Sequence, residues 1–213
     1  MTLVLTTYDW VPEFPRGFVR DIRVRWLLEE LGRPYRVETV PLREKSADHI
    51  AQQPFAQVPF IREGNLTLFE SGAILLHLAE GTDLMPPAHR PHVQQWLIAA
   101  LNSVEPFVMA WIIPKVFEKD EAGAARREPL LRQRLAQVQA ALGDRDWLVG
   151  NGFTVADLLM ADILRAPAQN GMLDDLHGLA AYVERATARP AFGKALADQM
   201  AHWRAADARQ ASA

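Results

Sequence analysis

Residues 55–80 read FAQVPFIREGNLTLFESGAILLHLAE, and their reading decides the fold. Two short apolar runs, QVPFI and LTLF, flank Gly64-Asn65, a tight-turn pair, so the spacing predicts a β-hairpin. The apolar run SGAILLHLAEG then reads as a helix ending at Gly81. Pro59 sits at the entrance of the first strand, lacks an N–H and pushes Val58 into an extended conformation. One reading is that Pro59 simply begins an edge strand. The other is a cis Val58–Pro59 bond, with Val58 presenting its N–H and C=O outward to pair with another peptide, as in strand addition. Glu70-Ser71, where hairpin passes into helix, also has two readings. Ser71 is a plain N-cap, or Thr67 and Glu70 form a capping box. Alternatively the helix N-terminus and the Ser71 hydroxyl take a carboxylate while Glu70 takes an ammonium. Taken together, the two elements offer one edge for a peptide backbone and one grip for the head group of a free amino-acid end.

Outward from the hairpin, TLVLTTY (residues 2–8) is β-branched and apolar and reads as a buried strand. A loop rich in proline and aromatic residues, DWVPEFPRG, precedes a helix over residues 18–32, with Phe18, Ile22, Trp26, Leu27 and Leu31 at helical spacing and Gly32 as cap. PYRVETV is a second strand and REKSADHIAQQ a short helix. The order strand, helix, strand, helix, strand, strand, helix implies a parallel crossover followed by an antiparallel pair, that is, a mixed sheet with helices on its faces. Asn65-Leu66-Thr67 fits a glycosylation pattern and is read as a turn.

After the proline-rich TDLMPPAHRP the pattern is wholly helical. Residues 93–117 form one long helix with Pro106 and Pro114 as kink candidates. Residues 124–143 are amphipathic. FTVADLLMADILRA is almost entirely apolar and predicts the buried centre of a bundle. Two shorter helices follow, and RAADARQASA is expected to fray.

With 213 residues, about half of them hydrophobic, the chain has room for one large domain or two small ones and a packed core. The 23 basic and 26 acidic residues give a net charge of −3, with no basic excess pointing to nucleic acid. The chain has no cysteine, which excludes disulfides, thiolate metal sites and a cysteine nucleophile. Thiol chemistry here needs a thiol brought by a ligand. His89 and His92 have i,i+3 spacing without a partner carboxylate, so no metal site is expected. The N-terminus is read as too short and polar for a signal peptide, and no run as approaching the roughly 20 apolar residues of a membrane span. The expectation is a cytoplasmic protein with no nucleic-acid or membrane partner.

At this point QVPFI…GNLTLFESGAIL resembles the signature of the glutathione transferases, and the resemblance extends over nearly the whole chain. WLVGNGFTVADLLMADIL is similar to a helix start in that family's helical domain, and ARPAFGKAL to its usual ending. The resemblance implies an α/β plus all-α architecture: a thioredoxin-like mixed-sheet, glutathione-binding domain over 1–82 and a helical-bundle domain over 88–213. It implies that Val58, ahead of a cis Pro59, bonds the cysteine of glutathione through its backbone, that Gln57 contacts the tripeptide, and that Glu70 and Ser71 bind the γ-glutamyl ammonium and carboxylate. Thr154 and Asp157 match the family's capping box, which serves folding.

The family also places a thiol-activating Tyr, Ser or Cys near the end of the first strand or the start of the first helix. There is no Cys, and the Ser position falls near Phe18. Tyr8 resembles the tyrosine of the Tyr-type classes, and an ordinary half-buried strand residue is the equal alternative. Arg16 and Arg20 offer positive potential at the sulfur or are solvated helix charge, and Thr6 and Thr7 are further hydroxyls. Met109, Trp111 and Ile112 form an apolar wall for the second substrate, or are core. The resemblance implies glutathione as co-substrate, a small electrophilic compound as substrate, a detoxifying transferase activity and a homodimer, with Phe55 inserted into the partner or folded back on its own domain. The competing reading is a non-catalytic binding or regulatory protein on the same scaffold.

Overall fold

A computed structural model describes residues 2–211. The chain divides into two compact units, one of residues 1–78 with 189–213 and one of residues 79–188. The first carries strands β1 (Leu3–Tyr8), β2 (Tyr35–Val40), β3 (Phe60–Glu63) and β4 (Leu66–Phe69) with helices α1 (Asp21–Glu30), α2 (Ala47–Gln52) and α3 (Ser71–Ala79). The sheet order is β2-β1-β3-β4; β1 and β2 are parallel and the β3–β4 hairpin antiparallel, as the order of elements predicts, and β3 also pairs antiparallel with β1. β3 starts at Phe60, after the residue that has no N–H to give to the ladder. Helix α1 begins three residues later than its apolar spacing suggests, because Phe18 and Val19 donate to the Pro15 carbonyl in a turn. Gly32, at φ 58°, ends it.

The second unit holds α4 (Arg90–Ala99), α5 (Glu105–Ile112), α6 (Glu121–Leu142), α7 (Val155–Gln169) and α8 (His177–Thr187). The long helix expected over 93–117 is interrupted by two π-helical turns, Ala100–Val104 and Ile113–Glu118. Each lies at a proline, Pro106 just beyond the first and Pro114 inside the second. A ring that cannot donate its N–H is accommodated by widening the turn. The stretch Pro87–Glu118 revises one expectation: its most apolar window has a mean hydropathy of 1.6, so it is long and apolar enough to cross a membrane. Here it packs against α6 and α7 as a bundle helix.

Helix α7 is the buried centre that its composition predicts, with every residue from Val155 to Arg165 buried. Its start is a capping box. The Asp157 carboxylate accepts from the Thr154 N–H (2.9 Å) and hydroxyl (2.7 Å), from the Leu148 N–H (2.8 Å) and from the Tyr182 hydroxyl (3.1 Å). Burial raises the Asp157 pKa against these bonds, and burial followed by the Asp157 charge raises that of Tyr182 well above its usual value.

The last helix, α9 (Pro190–Ala211), groups with the sheet and not with the helical bundle over 88–213. It packs along α1, with Trp26 and Phe192 rings 4.7 Å apart and Arg189 paired with Glu30 at 2.7 Å. The expected fraying of residues 204–213 is not seen as far as Ala211, because the helix bonds to the first unit through that stretch. Ser212 and Ala213 lie outside the described residues.

Candidate functional site

The strand register builds the site. Thr6 of β1 stands opposite Phe60 of β3, and Phe60 opposite Phe69 of β4. The C-terminal end of β1, the N-terminal end of β3 and the C-terminal end of β4 therefore meet at one end of the sheet. Tyr8 is the last residue of β1, Gln57-Val58-Pro59 lead into β3 and Glu70-Ser71 follow β4, so segments separated in sequence become neighbours.

The Val58–Pro59 bond is cis. Val58 is buried in an apolar cluster with Val11, Val19 and Trp203, and Tyr8 packs against that cluster. Gln57 is exposed, and its N–H donates to the side-chain oxygen of buried Gln53 (3.2 Å), which also accepts from Phe55 (2.7 Å). Gln53 thus shapes the turn that presents Gln57 and Val58. The residue went unnoticed in the sequence because a glutamine beside a second glutamine carries no pattern.

Glu70 is exposed and adopts φ 68°, a left-handed conformation that is uncommon for a side chain with a Cβ and that occurs where the surroundings fix it. Its carbonyl accepts the first helical bond, from Ile74 (2.9 Å), so it stands at the helix cap with the first amides of α3 beyond it. Ser71 is buried, and its hydroxyl accepts from buried Arg23 (3.3 Å). The Ser71 proton therefore points elsewhere, as a donor needs. Arg23, a cation on a helix that the sequence reads as an apolar face, also carried no sequence signal.

Tyr8 is half-buried. Burial raises its pKa and the Arg20 charge pulls it partly back, so the hydroxyl stays protonated and can donate at neutral pH. The Lys45 ammonium stands 4.4 Å from the centre of its ring, and burial lowers the Lys45 pKa. Lys45 is a second site cation that the sequence reading passed over, since it lies in a polar loop. His202 donates from Nε2 to the Tyr8 carbonyl at 3.0 Å.

Other groups considered for the site, or close to it, are bonded, buried or placed elsewhere. Arg16 donates to both oxygens of Asp207 (2.6 and 2.7 Å) and to the Val11 carbonyl. The Gly17 N–H donates to buried Gln199 (3.0 Å). The Thr6 and Thr7 hydroxyls are buried inside the sheet. Trp111 and Ile112 are buried in the helical unit and Met109 is half-buried, with the Lys115 ammonium over the Trp111 ring at 4.9 Å. Phe55 is 64% exposed and touches Phe69 edge-on at 6.1 Å. A cavity of about 650 Å³ opens between α1, β2 and α9 near Tyr35. Tyr35 pairs with Leu3, at the opposite end of the sheet from Tyr8, and the cavity's Lys194 is already paired with Glu29 and Asp198.

Known proteins resemble the chain over most of its length. A family model described as "Glutathione S-transferase, N-terminal domain" matches residues 4–80, and one described as "Glutathione S-transferase, C-terminal domain" matches residues 85–190. The chain is 30% identical to Glutathione S-transferase 3 of Zea mays over 83% of its length and 88% of that protein. It is also 30% identical to the Glutathione S-transferase-like protein tpcF of Aspergillus fumigatus, over 87% and 94% of the two chains. A solved glutathione transferase family member from Pseudomonas fluorescens, described with two glutathione bound, superposes with a TM-score of 0.79 over 92% of both chains at 24% identity.

Proposed function

The chain belongs to the glutathione S-transferase family, and from that membership we propose that it binds glutathione at the Tyr8 end of the sheet and turns the bound thiolate on small electrophilic compounds. The observation that carries the reading is the register Thr6–Phe60–Phe69, which gathers Gln57, Val58, Pro59, Glu70 and Ser71 beside Tyr8. In this assignment the Val58 backbone pairs with the cysteinyl unit of glutathione and Gln57 contacts the tripeptide. Ser71 and the first amides of α3 take the γ-glutamyl carboxylate, and Glu70 takes the ammonium.

The thiol must be held as thiolate, and an unassisted thiol has a pKa of about 8.5. Tyr8 donates a hydrogen bond to the sulfur, and the Arg20 charge adds positive potential. Arg16, bound to Asp207, supports the loop and not the sulfur. Met109 offers the apolar surface for the electrophile, beside the buried Trp111 and Ile112. The protein works as a homodimer with Phe55 inserted into its partner. Titration with glutathione followed by an assay against a panel of electrophiles tests the reading: saturable binding with turnover of one electrophile class supports it, and absence of binding overturns it.

A second reading is a glutathione-binding protein without turnover. Its support is the set of occupied groups: Arg16 spent on Asp207, the Gly17 amide on Gln199, and no serine or cysteine in the loop. Binding of glutathione without turnover of any electrophile selects it.

A further inference from the structure

One face of α9 holds the loop between β1 and α1. Gln199, Trp203 and Asp207 recur at four-residue steps, which align on a helix, and His202 flanks them. Gln199 accepts from the Gly17 N–H and donates to the Val19 carbonyl (3.2 Å) and to buried Asp21 (2.7 Å). His202 donates to the Tyr8 carbonyl, and Trp203 packs with Val11, Val19 and Val58. Asp207 accepts from the Trp10 indole (2.9 Å) and, with both oxygens, from Arg16 (2.6 and 2.7 Å). Arg16 in turn donates twice to the Val11 carbonyl, so the carboxylate ties together two ends of the loop.

Pro12, Glu13 and Phe14 of the loop are exposed, and its backbone bonds are a few turns around Glu13 and Pro15. Its two buried valines nevertheless pack on Val58, and Tyr8 and Arg20 flank it. We infer that Asp207 is a positioning residue for thiol activation: its carboxylate fixes the loop so that Tyr8 and Arg20 stay together around the sulfur. The inference rests on the proposed glutathione chemistry. Asp207 touches none of the atoms that would contact the tripeptide, so its loss acts on the sulfur end and not on the γ-glutamyl grip at Ser71. The Arg16 bond, then the Trp10 bond, hold the Asp207 pKa down to about 2, so the contact is intact at any working pH and adds no titration of its own.

Asp207→Ala and Asp207→Glu test this with three readouts: amide exchange of residues 10–19, affinity for S-methylglutathione, and the thiol pKa of bound glutathione from thiolate absorbance. In Asp207→Ala the loop amides should exchange faster, S-methylglutathione should bind as to the unmodified protein, and the thiol pKa should rise by about one unit, up to a roughly tenfold smaller thiolate fraction at neutral pH. Asp207→Glu should restore part of the shift. Unchanged loop exchange overturns the inference, as does a loss of S-methylglutathione affinity with an unshifted thiol. A lowered thiol pKa in the unmodified protein that stays put in Asp207→Ala overturns the role of Asp207 alone. A thiol pKa in the unmodified protein equal to that of free glutathione overturns both this role and the proposed activation.

Discussion

Phe60 of β3 stands opposite Phe69 of β4, and that single pairing sets Pro59 beside Glu70. The residue that follows Glu70, Ser71, takes a hydrogen bond from Arg23 and is left with its proton to give. Ser71→Ala should therefore weaken glutathione binding while leaving the fold intact. A hydrogen bond to a charged group is worth about 1.5–3 kcal/mol, or roughly ten- to a hundredfold in dissociation constant. Calorimetric titration checks this; an unchanged affinity would leave Ser71 as a helix cap alone.

Asp157 satisfies four buried donors. Asp157→Ala leaves the Leu148 and Thr154 amides without the carboxylate and the Tyr182 hydroxyl with only the residue-157 carbonyl (3.3 Å), at a cost of ~3 kcal/mol. For a chain of this size that is a fall in Tm of roughly 6–12 °C. Thermal unfolding followed by circular dichroism measures it, and glutathione affinity of the folded protein should not move, since the box lies in the helical unit. A Tm equal to that of the unmodified protein contradicts the assignment.

Burial pushes the His202 pKa below 6.5, with the Tyr8 carbonyl opposing, and burial and Lys45 push His49 the same way. In both cases the folded state prefers the neutral ring while the unfolded chain takes up a proton below about 6.5. Their contribution is complete above that value and is lost as pH falls through the lower folded values. Urea midpoints should thus decline from neutral to mildly acidic pH, and His202→Gln should flatten part of that slope. An identical slope in the variant would contradict the shift assigned to His202.

Phe55 remains 64% exposed although its ring touches Phe69. Burying such a ring in a partner subunit is worth about 1.5–3 kcal/mol per site. Phe55→Ala should shift the dimer–monomer equilibrium toward monomer in sedimentation velocity across a dilution series. The same dissociation curve for both proteins would rule out the insertion.

The sequence made much of this legible, and the reasons are local. The Gly64-Asn65 turn fixed the hairpin, and the hairpin fixed which residues would meet at the sheet end. Thr154 and Asp157 were readable because a capping box is a spacing. Arg23, Lys45 and Gln53 were not: each acts through a contact set by tertiary packing, in a stretch without a periodic signal of its own. The placement of α9 was equally hidden. Its apolar spacing reads as one more bundle helix, and its packing along α1, with the bonds from Gln199 and Asp207 to a loop about 190 residues earlier, assigns it to the first unit. Arg16, read as charge available to the sulfur, found a carboxylate that no local pattern could reveal.

The most direct test of the account is the pKa of the glutathione thiol bound to the unmodified protein and to Tyr8→Phe, read from thiolate absorbance across a pH series. Because burial keeps the Tyr8 hydroxyl protonated, it should act as a donor throughout that range. The account predicts a thiol pKa clearly below about 8.5 in the unmodified protein, returning toward that value in Tyr8→Phe with glutathione affinity nearly unchanged. A bound thiol that titrates like free glutathione in the unmodified protein would contradict it.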